Sequence, residues 1–131
     1  MKHLFLFTII LLTIIPLNAQ DKGNPGIVFD TTEFDFGIIA KGANAECIFP
    51  FVNISQAPVI ITDVEASCGC TSPSWTKEPI TPGNTGQIKV KYNTNIAGIF
   101  TKTIMVYTNV NKTATILTIK GEVKKKKSKL K

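Results

Sequence analysis

Histidine and arginine are what this sequence most lacks. Of 131 residues only His3 is a histidine, and all fifteen basic residues are lysines. His3 lies in an N-terminal segment that reads as cleavable, so the mature chain has neither imidazole nor guanidinium. That removes the commonest general base and metal ligand, and the usual bidentate clamp for phosphate or carboxylate. Ser55, Ser67, Ser72 and Ser74 have no histidine to activate them, and neither a Gly-x-Ser-x-Gly elbow nor a glycine-rich phosphate loop occurs. Asp30, Glu33, Asp35, Asp63 and Glu65 fall in strand and turn patterns that solvated faces explain. The expectation is a protein that is not an enzyme.

No apolar run beyond the N-terminus is long enough to span a bilayer. The N-terminus itself carries Lys2, an apolar stretch over 4–15, then Pro16, Leu17, Asn18 and Ala19. This is the layout of a secretory signal peptide cut after Ala19, since the apolar run falls short of the ~20 residues of a spanning helix. The mature chain is then residues 20–131, one domain in length, exported to the periplasm or the outside and without a stable membrane span. The net charge of +6 misleads, because six lysines sit in the last eight positions. Between 20 and 123 eight lysines face nine carboxylates, so the body is nearly neutral and the basicity is a tail.

Residues 20–26 are polar and turn-rich, a flexible lead-in. From Ile27 the chain shows short β-branched and aromatic runs punctuated by Gly, Pro, Asn and Ser, with no helical periodicity. Seven strands are predicted, over 27–30, 34–39, 45–53, 59–66, 86–92, 101–108 and 113–123. The fold class is therefore all-β, a sandwich. In the third strand Cys47, Phe49 and Phe51 share one parity and should face the core, with Glu46 and Pro50 outward. Pro50 argues for an edge or a bulge there. The sixth strand is partly apolar on both faces, so its sheet either is covered on both sides or offers an apolar outer face to a partner.

The most specific local feature is Ser67-Cys68-Gly69-Cys70-Thr71. Two thiols two residues apart can form a local disulfide, hold a soft metal, or pair with other cysteines. Gly69 would let the backbone fold to close a local bridge. Cys47 makes the count odd; it reads as a small buried hydrophobe, with a bridge to Cys68 or Cys70 as the alternative. No cofactor or metal is expected; of the ions, Cu(I) best tolerates a ligand set of two or three thiolates such as Cys68 and Cys70.

Thr71 to Trp75 continue that motif as a candidate contact loop, in which Trp75 is either a binding anchor or, more ordinarily, a lid over the core. The tail over 124–131 lacks Arg and interleaved aromatics, so no nucleic acid is expected as partner; it reads as solvated and disordered, with weak attraction to anionic polymers or lipid head groups as its functional option. Asn53-Ile54-Ser55 and Asn111-Lys112-Thr113 match glycosylation sequons, relevant only to a eukaryotic pathway.

Taken together, Phe34-Asp35-Phe36-Gly37, Phe51-Val52-Asn53, Ser67-Cys68-Gly69-Cys70-Thr71, Pro79-Ile80-Thr81-Pro82-Gly83 and Gly98-Ile99-Phe100-Thr101-Lys102 resemble the DUF1573 family over 27–123. That family is similar to the ASPM, SPD-2, Hydin and major-sperm-protein group. The resemblance implies an exported immunoglobulin-like β-sandwich of bacteria and supplies no reaction. The expected role is an interaction or structural module of the cell envelope whose partner is an envelope protein or polymer. The alternative is a thiol redox or Cu(I)-binding protein working through Cys68 and Cys70.

Overall fold

The computed structural model describes residues 26–127. The signal peptide expected over 1–19 and the lead-in up to 25 lie outside the described residues. Eight strands follow in order: β1 (Ile27–Phe29), β2 (Glu33–Ala40), β3 (Ala45–Asn53), β4 (Ile61–Ala66), β5 (Thr71–Trp75), β6 (Thr85–Tyr92), β7 (Gly98–Thr108) and β8 (Thr115–Lys124). They form two four-stranded sheets, ordered β1-β3-β6-β5 and β2-β8-β7-β4. The all-β sandwich expected from the turn spacing is what the chain adopts.

The core lies between the sheets because alternation along each strand puts apolar side chains on one face. Cys47, Phe49 and Phe51 of β3 are buried as expected, opposite Val90, Ile88 and Gly86 of β6. The second sheet answers with Ile104 and Val106 of β7 and Leu117 and Ile119 of β8, each no more than 1% exposed. Aromatic rings close both ends of this layer. Phe29 meets Phe51 edge-on at 5.3 Å, and Tyr92 of one sheet stacks on Phe100 of the other at 3.8 Å.

Strand β2 runs parallel to β8, and its inward parity changes midway. Asp35 pairs with Lys120 but Ile38 with Glu122, so β2 carries one extra residue. Gly37 supplies it at φ 63, and its N–H donates to Asp35 Oδ1 at 2.8 Å. Phe34 and Phe36 therefore lean on the core, as does Ile39, whereas Ile38 is turned out to solvent.

Four expectations need correction. Pro50 lies in an internal strand, flanked by β1 and β6. It is tolerated because β1 stops opposite Phe51; beyond that point only Asp30 N–H donates to Pro50 O, and no donor is needed in return. Residues 71–75 are not a loop but the edge strand β5. Ser-Pro-Ser looks like a turn, yet the neighbouring bonds from Asn93 N–H to Cys70 O and from Thr76 N–H to Gln87 O put Pro73 at a non-hydrogen-bonded position, where its nitrogen faces away from β6. Lys124 does not belong to the tail: it pairs with Ala40 as the last residue of β8, and its carbonyl accepts Lys41 N–H at 2.9 Å. Gly26, assigned to the flexible lead-in, is buried against Val110, and its carbonyl accepts Ile54 N–H at 3.0 Å.

Asn53 ties the end of the sandwich where β3 terminates. It is 1% exposed; its Nδ2 donates to Ile80 O at 2.7 Å and Ala57 O at 2.8 Å, while Oδ1 accepts from Ser55 N–H and Oγ–H. The glycosylation reading of this asparagine fails on the folded domain, since both amide hydrogens are already donated inside it. Asn53→Ala should lower the unfolding free energy by about 2–4 kcal/mol in urea titrations, because several buried polar groups lose their partners. Asn53→Asp should do the same, because a carboxylate cannot donate to the two carbonyls.

Candidate functional site

The paired cysteines occupy the corner at which the chain leaves edge strand β4 of one sheet and enters edge strand β5 of the other. Both sides of the corner are pinned by backbone. Ser67 N–H donates to Thr103 O at 2.9 Å and Ser67 Oγ accepts Thr103 N–H at 3.1 Å, which holds the exit from β4 against β7. Asn93 N–H donates to Cys70 O at 2.8 Å, which holds the entry to β5 against the end of β6.

Between these anchors a tight turn, closed by Thr71 N–H on Cys68 O at 3.3 Å, brings the Cα atoms of Cys68 and Cys70 to 5.3 Å, and the two form a disulfide. A fully extended segment would hold them about 6.6 Å apart. Cys68 Sγ accepts Cys70 N–H at 3.2 Å, and the buried Thr71 hydroxyl lies 3.8 and 3.9 Å from the two sulfurs. Both cysteines are half-buried, and Cys70 packs on the core. Gly69 is less necessary than expected: it is not at positive φ, and a Cβ there would meet nothing within 4 Å.

Cys47 takes no part in this corner. It is a free thiol, 4% exposed, inside the core on β3. Burial, with a smaller contribution from the Glu46 carboxylate, pushes it up to about 11. The alternative bridge from Cys47 to Cys68 or Cys70 is therefore not the one formed. Thr71, proposed as a contact residue, is 4% exposed and points inward. Trp75 is half-buried against the core with Lys77 Nζ 3.1 Å above its ring, so it acts as the lid of the two roles considered.

The outer face of the β2-β8-β7-β4 sheet is surface that the sequence reading located only in part. Ile38, Ile99 and Ile116 are 68, 83 and 57% exposed there. Ile38 and Ile99 flank Glu122 in one cross-strand row, and Ile116 pairs with Met105. The apolar outer parity of the sixth predicted strand pointed to this face, but the parity of Phe34 and Phe36 would have buried Ile38. Among the described residues no group of three or more His, Cys, Asp or Glu could hold a metal.

Two outcomes follow from this geometry. The Cys68→Ser, Cys70→Ser double variant should remain folded and lose no more than about 2 kcal/mol in denaturant titrations, because the bridge closes a very short loop. Cys47 should resist a thiol reagent at pH 8 in the native state and react on unfolding. Its proton is held more tightly in the folded state than in the unfolded one, so it supports the fold below pH 9 and withdraws that support as pH rises toward 11.

Comparison with known proteins fits the fold described above. A protein of unknown function from Porphyromonas gingivalis W83 superposes with TM-score 0.65 at 14% identity, covering 73% of this chain and 46% of that one. The chain thus spans under half the length of that protein. The ASH/PapD-like domain 7 of human CEP192 gives TM-score 0.65 at 8% identity, covering 76% of this chain and 86% of that domain. The VesB protease of Vibrio cholerae gives 0.60 at 15% identity, covering 79% of this chain but 33% of the protease. At such identities the likeness is one of fold alone, and the fold is that of the immunoglobulin-like domains. No curated protein matches. The family described as "protein of unknown function (DUF1573)" matches residues 27–123, and the chain belongs to it.

Proposed function

We propose that the protein is an exported, non-enzymatic interaction module of the bacterial cell envelope. The observation that carries this reading is the outer face of the β2-β8-β7-β4 sheet, where three isoleucines stand in solvent. Exposed aliphatic side chains on one face suit a contact surface better than a reaction. The carboxylates support the same conclusion. Glu33 pairs with Lys120, Glu46 with Lys89, Glu122 with Lys124, and Glu65 accepts from Tyr107 Oη–H, so each has a surface partner. Lys120 and Glu122 line one shallow depression with Asp35, Ile38 and Ile99, but there Lys120 pairs with Glu33 and Glu122 with Lys124, as solvated surface charges do.

The partner in this reading is an envelope protein or polymer. Among the described residues no helix is long and apolar enough to cross a membrane. Expressed with its own leader, the protein should fractionate with the periplasm or medium and begin at Gln20. Crosslinking in whole cells should capture an envelope component through the wild-type face and not through Ile116→Lys. A chain that stays cytoplasmic with its leader attached overturns the proposal.

A second reading has one observation in its favour: the Cys68–Cys70 bridge is half-exposed at a surface corner, within reach of a dithiol reductant. On reduction, Cys70 N–H would stabilise a thiolate at Cys68. Mass spectrometry with and without dithiothreitol, followed by Cu(I) titration of the reduced protein, should show uptake that both serine substitutions abolish. Uptake indifferent to the serines removes this reading.

A further inference from the structure

The strand order gathers two features that the sequence keeps far apart. β2 and β8 run parallel and both finish at the end of the sandwich where β7 begins. Gly98 pairs with Val123 and Ala40 with Lys124, so the start of β7, the end of β2 and the end of β8 lie side by side. One row in from that end, Ile38 and Ile99 project from the outer face on either side of Glu122, about 10 Å apart across two strand spacings. Ile96, 48% exposed, stands on the loop that leads into β7.

Lysines surround this group at the same end. Lys41 follows β2 and is held to Lys124 by the backbone bond described above. Lys124 ends β8, and the lysines at 125–127 continue from it, all exposed and without regular structure. The sequence adds Lys129 and Lys131 beyond them. Against these stands Glu122, which pairs with Lys124 at 3.9 Å. Asp35 and Lys120 line the same depression as Ile38, Ile99 and Glu122, and Lys120 pairs there with Glu33, so the acids of this face are offset by lysines.

We propose that this end of the sandwich docks on the surface of an anionic lipid bilayer, with Ile38, Ile99 and Ile96 entering the headgroup and acyl boundary and the lysines engaging lipid phosphates. A polyanionic polymer would use the lysines but gives the isoleucines no role. A bilayer uses both, since shallow aliphatic insertion and basic charge each add to interfacial binding. Lysine suits the task, because its stem lies along apolar surface while the ammonium reaches the phosphate plane. Seated on this end, the domain keeps Ile116, Met105 and Tyr107 of the outer face free for an envelope partner. The inference rests on the export reading for its setting and adds a lipid contact to it.

The test uses the mature chain, residues 20–131, which contains the whole sandwich and omits the apolar leader. It is sedimented with vesicles of phosphatidylethanolamine and phosphatidylglycerol, and with vesicles of phosphatidylcholine alone. The expected result is co-sedimentation with the anionic vesicles only, weakened by salt. Changing the lysines at 124–127 to glutamine together should reduce the bound fraction more than tenfold, and Ile38→Ser with Ile99→Ser about tenfold. Both isoleucines are largely in solvent, so near-ultraviolet circular dichroism should be unchanged; the two single serine variants provide the same readout separately. Absence of binding to anionic vesicles overturns the proposal, as does binding that ignores the serines and is displaced by polyphosphate, which would report a tail that holds any polyanion. An exported protein that ignores vesicles leaves the export reading standing. A vesicle-binding domain that stays in the cytoplasm does the reverse.

Discussion

The structure depends on the interleaving of two inward rows, Phe49 and Phe51 with Ile88 and Val90 from one sheet, Ile104 and Val106 with Leu117 and Ile119 from the other. Hydrophobic burial sets these rows, and strand alternation then leaves no choice about the opposite faces. A slip of one residue in β3 would put Glu46 and Ile48 where Cys47 and Phe49 now sit. The register of β3 on β6 also places Asn53 at one end and Tyr92 at the other. The two ends are closed by different chemistry: a buried amide network at Asn53, and at Tyr92 a ring stack beneath the disulfide corner.

That difference gives the molecule a polarity. At the Asn53 end the amide's partners are neutral groups of the chain itself. At the other end the parallel pairing of β2 with β8 delivers the C-terminal lysines next to the β2–β3 turn. A parallel pair needs a long connection, and here that connection is most of the domain. The consequence is that the last strand exits beside the second, and the basic tail is anchored through Lys124 rather than left to start at its own first residue.

Much of this was legible from composition and periodicity. Seven of the eight strands were marked by β-branched and aromatic runs, and the inward facing of Cys47, Phe49 and Phe51 followed from parity alone. What was hidden had a local physical reason in each case. β5 was masked by Ser72-Pro73-Ser74, whose turn-like composition is harmless at a sheet edge with the proline nitrogen turned away from β6. Ile38 was masked by the bulge at Gly37, because period two from Phe34 and Phe36 would have turned it inward. Asn53 matched a sequence motif for modification, and only its burial shows that the amide is structural.

The cysteines show how far spacing alone can reach. Cys-x-Cys left a bridge, a metal and separate pairing all open, and the selection comes from the corner rather than from the motif. Two anchors, Ser67 on Thr103 and Cys70 on Asn93, bring the chain from one sheet to the other and contract the segment between them. The contraction, not the freedom of Gly69, is what suits the two sulfurs to each other. A bridge spanning two residues adds little chain-entropy stabilisation to a sandwich already closed by its core. Its position is therefore the more informative property. The corner climbs from Ser67, held at Thr103 midway along β7, to Cys70, held by Asn93 just past the end of β6, and so closes the edge of the sandwich opposite β2.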